Sequence, residues 1–480
     1  MARIVAGCVS NLIILIVLRV DHTFTLEQRA PDIDVNFELI NPKGIRIWIP
    51  DMGTSEITQF KFNGNINRTI SIVSIGKIRA DVTKPTDGRW IFEDNDVEVK
   101  AGDVIFYNFV AAVDGIEYVY DDLNKTLNGS NFDPSCSQSA TVIRGSTATI
   151  CSGETIFEEN FDILNQSVWQ IEQYIPVDDP EYPFVSYQRF PSKRTVTLIN
   201  GNLRIAPNLQ QHQDGFTNKS LFTTNLNLID RCTAPVCSKE PSGADILPPV
   251  VSGRITSKGF VFKYGTVHVR AKLPQGDWLY PEILLEPVLK KYGNSNFASG
   301  VLKIATARGN KELNSGLLDY GNKVLYGGPI MDFDCRKELL KTHQLKNSRQ
   351  WGDDFHEYSL RWSPDGIVWS VDGVEWARIE PGTRGLVNSL PRSCQHLQRS
   401  QLEAGTLMAP FDDLFHITLG VSAGGISEFD DNLTSKGGWP KPWKNGARKA
   451  MLNFWKDLDS WYPTWNQSGM LVDYVKVIAL

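Results

Sequence analysis

The sequence predicts an all-β protein built as two sandwiches, a small one first and a large jelly roll after it. Three observations predict this. Apolar residues alternate with polar ones at period two, turn residues punctuate these runs at short intervals, and no stretch between Asp32 and Asp122 sustains a helical period. A chain of 480 residues exceeds one ordinary domain, since domains run to roughly 100–200 residues. The apolar share of 41% supplies cores, and the charged share of 22% argues against wholesale disorder.

Residues 1–25 read as a secretory signal. Arg3 gives the positive start, the apolar run Ile4–Leu18 follows, and Arg19 and Asp21 end it. The competing reading is a membrane anchor, but a span needs about 20 apolar residues. Residues 28–123 read as the small antiparallel sandwich. The turn Asn41-Pro42-Lys43-Gly44 leads into Ile45, Ile47 and Ile49, which alternate with Arg46 and Trp48. Phe60 and Phe62 continue the pattern, and Trp90 and Phe92 follow Asp87-Gly88. Ala101-Gly102-Asp103 opens the run Val104–Val113, and Asp114-Gly115 turns into Ile116–Tyr120.

Residues 124–153 are rich in Asn, Ser, Thr, Gly and Asp and read as an exposed linker. From 154 to 480 the strands return. Leu203 and Ile205 follow Asn200-Gly201-Asn202, and Val267, Val269 and Ala271 alternate with His268 and Arg270. Pro364-Asp365-Gly366 and Asp372-Gly373 punctuate hairpins, and Val472–Ile478 closes the chain. Long loops between many strands suggest a two-sheet jelly roll with a groove across one concave sheet. Arg336–Lys346 reads as a short helix.

An exported chain agrees with the cysteines. Cys8 leaves with the signal, and Cys136, Cys151, Cys232, Cys237, Cys335 and Cys394 remain. Six cysteines allow fifteen connectivities. Cys136 with Cys151 and Cys232 with Cys237 are natural local pairs, which leaves Cys335 with Cys394. None has zinc-site spacing with His, so no metal is expected, and no motif asks for a cofactor. Glycosylation sequons begin at Asn67, Asn124, Asn128, Asn165, Asn218, Asn432 and Asn466. A net charge of −6 gives no general attraction to nucleic acid or to an anionic membrane.

The run Tyr264–Pro281, containing Trp278, resembles the strand and turn that lead into the active site of glycoside hydrolase family 16. Asp354–Asp365 with Val371-Asp372-Gly373, and the ending Asp473–Val477, are similar to later pieces of the same family. In the first domain, Asn41–Asp51, Asp87-Gly-Arg-Trp90 and Lys100-Ala-Gly-Asp103 resemble the N-terminal sugar-binding module of the arthropod β-1,3-glucan recognition proteins, also called Gram-negative-bacteria-binding proteins. The resemblance covers nearly everything after the signal. It implies an immunoglobulin-like sandwich followed by a concanavalin-like jelly roll. It further implies binding of β-1,3-glucan or a bacterial envelope polysaccharide, with components of serine-protease cascades as partners.

Active members of the hydrolase family carry Glu-x-Asp-x-x-Glu on one strand. Residues two apart share a strand face, and a bulge returns the last Glu to it. A retaining double displacement needs the two carboxyls about 5–5.5 Å apart. Here Val301 stands at the nucleophile position, Lys303 at the Asp and Thr306 at the acid/base, and Val301–Lys311 holds no carboxylate. Val cannot attack an anomeric carbon, and a Thr hydroxyl is a poor proton donor. The expectation is a recognition protein and not an enzyme. Glu282 and Glu286 just before this strand and Glu312 just after it are the carboxylates that could rescue an active endo-β-1,3-glucanase, and Glu282 and Glu286 share a strand face, though such residues are more often solvated or paired with Arg or Lys.

Sugars stack on aromatic faces, so Trp278, Tyr280, His356, Trp439 and Trp443 are candidates for the groove, with the loop Gly437–Trp443 the best case. Trp362 and Trp369 read as core. In the first domain the resemblance aligns a binding Asp with Asp81, but a binding Trp with Asn108 and a binding Arg with Val119. Tyr107, Tyr118 and Tyr120 are the available substitutes. These losses keep open a third reading, an adaptor that contacts proteins and has lost glycan binding.

Overall fold

The computed structural model describes residues 31–480, apart from 32, 41–43, 52–56, 72–73, 87, 101, 128–135, 147 and 347. The signal reading at 1–25, Cys8, the turn at 41–43, Asp87, Ala101 and Asn128 lie outside the described residues. The chain divides into two compact units, with the boundary after Phe132.

Among the described residues, the first unit is an antiparallel sandwich of seven strands. Asn36–Leu39, Ile45–Pro50 and Arg89–Asp94 form one sheet. Ile78–Val82, Ile57–Ile66, Val104–Val113 and Ile116–Thr126 form the other, in that order. Ile45, Ile47 and Ile49 are fully buried against Phe60, Phe62 and Phe109, as period two requires. Arg46 points out and bridges Glu38 at 2.9 Å and Glu93 at 2.7 Å. Trp48, on the same outward side, is nonetheless buried, because the Arg89 guanidinium lies 4.3 Å above its ring.

The second unit is a two-sheet jelly roll. The first sheet runs Gln170–Ile171, Arg254–Lys263, Phe415–Ala423, Leu279–Pro287, Val301–Thr306, Val324–Ile330 and Lys341–Gln344. The second runs Val196–Ile199, Asn202–Ile205, Met470–Ile478, Gly265–Lys272, His356–Ser363, Gly366–Val371 and Val374–Ile379. Val267, Val269 and Ala271 face the core, with Ile283, Leu285, Leu302, Ile417 and Leu419 opposite them. Trp362 and Trp369 are fully buried there, and the Trp369 indole donates to the Lys303 carbonyl at 2.9 Å. Asp372 and Gly373 both adopt positive φ, 51° and 76°, the geometry a two-residue hairpin turn demands.

Two expectations fail. Arg336–Lys346 is not a helix: turns lead into the strand Lys341–Gln344, which pairs with Val324–Gly327. Nor is all of 124–153 a linker. Ile116–Thr126 extends the first unit's sheet beyond residue 123, and Val142–Ile143 pairs with Phe262 and Lys263 of the second unit. The Thr141 hydroxyl also accepts the Leu480 amide at 3.0 Å. Polar composition was a poor guide because these backbone groups have sheet partners to pair with. Disulfides join Cys136 to Cys151, Cys232 to Cys237 and Cys335 to Cys394.

Candidate functional site

The strand Val301–Thr306 lies beside Leu279–Pro287 in the first sheet. Leu285 pairs with Leu302 in the core, and Leu284 with Lys303 on the opposite face of the sheet. That face therefore carries Glu282, Glu286, Val301 and Lys303. A bulge lies between Lys303 and Thr306, where the four residues from Lys303 to Thr306 oppose the three from Gly328 to Tyr326, and it returns Thr306 to the same face. The three positions matched to catalytic acids thus converge, and all three side chains are buried.

They do not meet an open groove. The Lys303 ammonium lies 3.2 Å from the Glu428 carboxylate and 3.6 Å from Glu181. Arg308 contacts Glu428 at 3.1 Å and gives a 2.9 Å hydrogen bond to the Tyr326 hydroxyl. Arg336 bridges the two acids, pairing with Glu181 and lying 3.1 Å from Glu428. Burial pushes the Glu428 carboxyl up, but Lys303, Arg308 and Arg336 outweigh it and hold the group well below the carboxylate range. A catalytic proton donor needs the opposite shift. The Thr306 hydroxyl gives only a long 3.4 Å bond to the Pro281 carbonyl.

Glu282 and Glu286 share the face as expected, and both are taken by one cation. Arg254 lies 3.0 Å from Glu282 and 2.6 Å from Glu286. Tyr187 and Ser422 donate to Glu282 at 2.9 Å each, and Thr418 donates to Glu286. Desolvation raises the Glu286 carboxyl, yet Arg254 and its other partners bring it down to about 2. Asp179 is different. Burial first, and then Glu181, push its carboxyl up to about 7.

Most of the aromatic candidates are core. Trp443 is only 1% exposed, wedged between Trp278, Phe184 and Phe454, with its indole donating to the Gly425 carbonyl at 2.8 Å. Trp278 and Tyr280 are buried against Phe429. None of these three rings has a free face for a sugar, which corrects the reading of a stacking platform there. His356 belongs to the other sheet, packs on Trp351 and holds Asp372 at 2.7 Å, so it does not line the groove. Trp439 is the exception at 73% exposure, beside a cavity of about 360 Å³ with Pro440, Pro442 and Asn453.

In the first unit, Asp81 pairs across to Lys61, Lys61 to Val110 and Val110 to Val119, while Asn63 pairs with Asn108. Asp81, Asn108 and Val119 therefore share one sheet face. Asp81 accepts a 2.6 Å bond from Gln59. The substitutes fail, because Tyr107 and Tyr120 stack into the core on Phe62 and Phe109, and Tyr118 packs against the same cluster. Asn67, Asn124, Asn165, Asn218, Asn432 and Asn466 are exposed.

Sequence reasoning missed Glu181, Arg254, Arg336 and Glu428, which have no local motif to reveal them. Among the described residues, no cluster of His, Cys, Asp and Glu could hold a metal ion, and no helix is long and apolar enough to cross a membrane.

A family profile described as a carbohydrate binding domain (family 32) matches residues 27–143, and one for glycosyl hydrolases family 16 matches residues 336–414. A β-1,3-glucan-binding protein of Hyphantria cunea is 54% identical over 93% of this chain and 95% of its own length. β-1,3-Glucan-binding protein 1 of Manduca sexta is 36% identical over 93% of this chain and 95% of its own. Gram-negative bacteria-binding protein 1 of Drosophila melanogaster is 34% identical over 91% and 93%. With that identity sustained across both units, the chain belongs to the family of β-1,3-glucan-binding and Gram-negative bacteria-binding proteins.

Proposed function

We propose that this chain is a secreted, non-hydrolysing receptor for β-1,3-glucan or a related microbial surface polysaccharide, which passes its signal to serine-protease cascades of innate immunity. One observation carries the absence of hydrolysis. The face that would hold two carboxylates holds Val301 and Thr306, with the Lys303 ammonium ion-paired between them. No nucleophile stands there, and the nearest acid, Glu428, is held ionised. Recognition of glucan rests on the names of the relatives and on the carbohydrate-binding profile over 27–143.

The test is co-sedimentation of the mature protein with insoluble β-1,3-glucan against cellulose, together with release of reducing ends from laminarin. Selective pelleting without reducing ends is the expected result. Sugar release that is abolished by a substitution in the Lys303 face would overturn the reading. A second reading, an adaptor that binds proteins and not glycans, is favoured by Asn108 and Val119 on the Asp81 face, and failure to pellet would select it.

A further inference from the structure

The ion cluster around Lys303 holds more cations than carboxylates. Lys303, Arg308 and Arg336 converge on two carboxylates, Glu181 and Glu428. All five side chains are largely buried, and Arg254 with Glu282 and Glu286 carries the opposite excess on the same sheet face, so the surplus of cations is local to Lys303, Arg308 and Arg336. Asp179, beside Glu181, forms no ion pair with the three cations, and burial together with the Glu181 charge pushes its carboxyl up to about 7. Lys337 adds nothing to the balance, because it pairs with Asp430.

A cavity of about 200 Å³ adjoins this excess, lined by Lys303, Thr306, Arg308, Tyr326, Arg336 and Glu428. It reaches the surface at Lys337 and Thr342, both exposed. Two buried polar atoms of the network, Arg336 Nε and the Ser427 hydroxyl, meet no protein partner. The Tyr326 hydroxyl accepts from Arg308 and keeps its own proton to donate. Pockets for drug-sized ligands run to about 300–1,000 Å³, so this one suits a single sugar ring.

We propose that this cavity binds one sugar unit carrying an acidic group, a carboxylate or a phosphate, whose negative charge answers the local surplus of cations. Lys303, standing where the family's acid stood, is the residue that sets this preference. The inference deepens the reading of a non-hydrolysing glycan receptor and rests on it, since a working hydrolase could not keep an ammonium there.

The experiment is thermal unfolding of the full chain at pH 6 with glucuronate, glucose 6-phosphate, inorganic phosphate or glucose. At about tenfold over Kd a bound ligand should raise the transition by about 2 °C. A rise with either charged sugar is expected, and which of the two acts identifies the acid. Lys303→Met should abolish the rise and Lys303→Arg should retain it. No rise with either charged sugar, an equal rise with glucose or with inorganic phosphate alone, or a rise that survives Lys303→Met would overturn the proposal. Pelleting with neutral β-1,3-glucan does not depend on this cavity, so failure here is distinguishable from failure of the receptor reading.

Discussion

Replacing Glu428 by Gln tests the network most directly, because the change removes one charge and almost no volume. Glu428 faces Lys303 at 3.2 Å and Arg308 and Arg336 at 3.1 Å each. Its loss leaves three buried cations on one carboxylate, Glu181. Breaking a buried pair by removing one partner costs about 3–5 kcal/mol. The unit from Asp133 to Leu480 unfolds with an entropy of about 0.7 kcal/mol/K, taking roughly 2.1 cal/mol/K per residue. The transition of this unit should therefore fall by about 4–7 °C. Removing Lys303 with Lys303→Met leaves two cations on two carboxylates and should shift stability by less than about 1 kcal/mol. Thermal unfolding followed by fluorescence of the buried Trp362 and Trp369 reads both variants. A Glu428→Gln transition unchanged from the parent, or a Lys303→Met loss as large as that of Glu428→Gln, would refute the reasoning.

His416 is buried beside Glu286, 3.7 Å away, and desolvation lowers its pKa to about 4 against the pull of Glu286. Its folded pKa is depressed, so stability is full above about 6.5 and falls as pH drops towards 4, by up to about 3 kcal/mol. His416→Leu should remove that step from a stability–pH curve, leaving the further loss between 4.5 and 2 that the depressed Glu286 carries. Cys335 and Cys394 close a loop across 59 residues and hold the turn that delivers Arg336. Replacing both by Ala should cost about 4 kcal/mol in urea unfolding. Restoring the acids with Val301→Glu, Lys303→Asp and Thr306→Glu together should yield no reducing ends from laminarin, since Arg308 and Arg336 remain to pair with and depress the new carboxyls.

The sheets were legible because a strand's signal is local. The isoleucines at 45, 47 and 49 announce one buried face without reference to anything distant. The bulge after Lys303 was legible from the spacing the family uses. Trp443 was not, because a Pro- and Gly-rich loop reads as surface unless Trp278, Phe184 and Phe454 are known to close over it. Arg336 was misread for a similar reason. The apolar spacing after it suits a helix, but the Cys335–Cys394 link and the strand Lys341–Gln344 fix the chain otherwise. Glu181 and Glu428 lie far apart in sequence, and only the fold sets them around one lysine.

The strand Val301–Thr306 answers to two separate constraints. Leu302 and Ile304 pack into the sandwich core, so they are held by cavity costs of about 2–5 kcal/mol for a large-to-small change. At Lys303 the opposite face is held by charge balance. A lysine entering that face alone would be a buried, unpaired cation, which is prohibitive. It is tolerable here because Glu428 and Glu181 are within reach. The two ends of that bargain must then be coupled. Combining Lys303→Met with Glu428→Gln leaves two arginines on one acid, one unpaired charge fewer than Glu428→Gln alone. The double variant should therefore be more stable than that single variant, with a coupling energy of about 1–3 kcal/mol. Strict additivity would mean that Lys303 does not belong to the network.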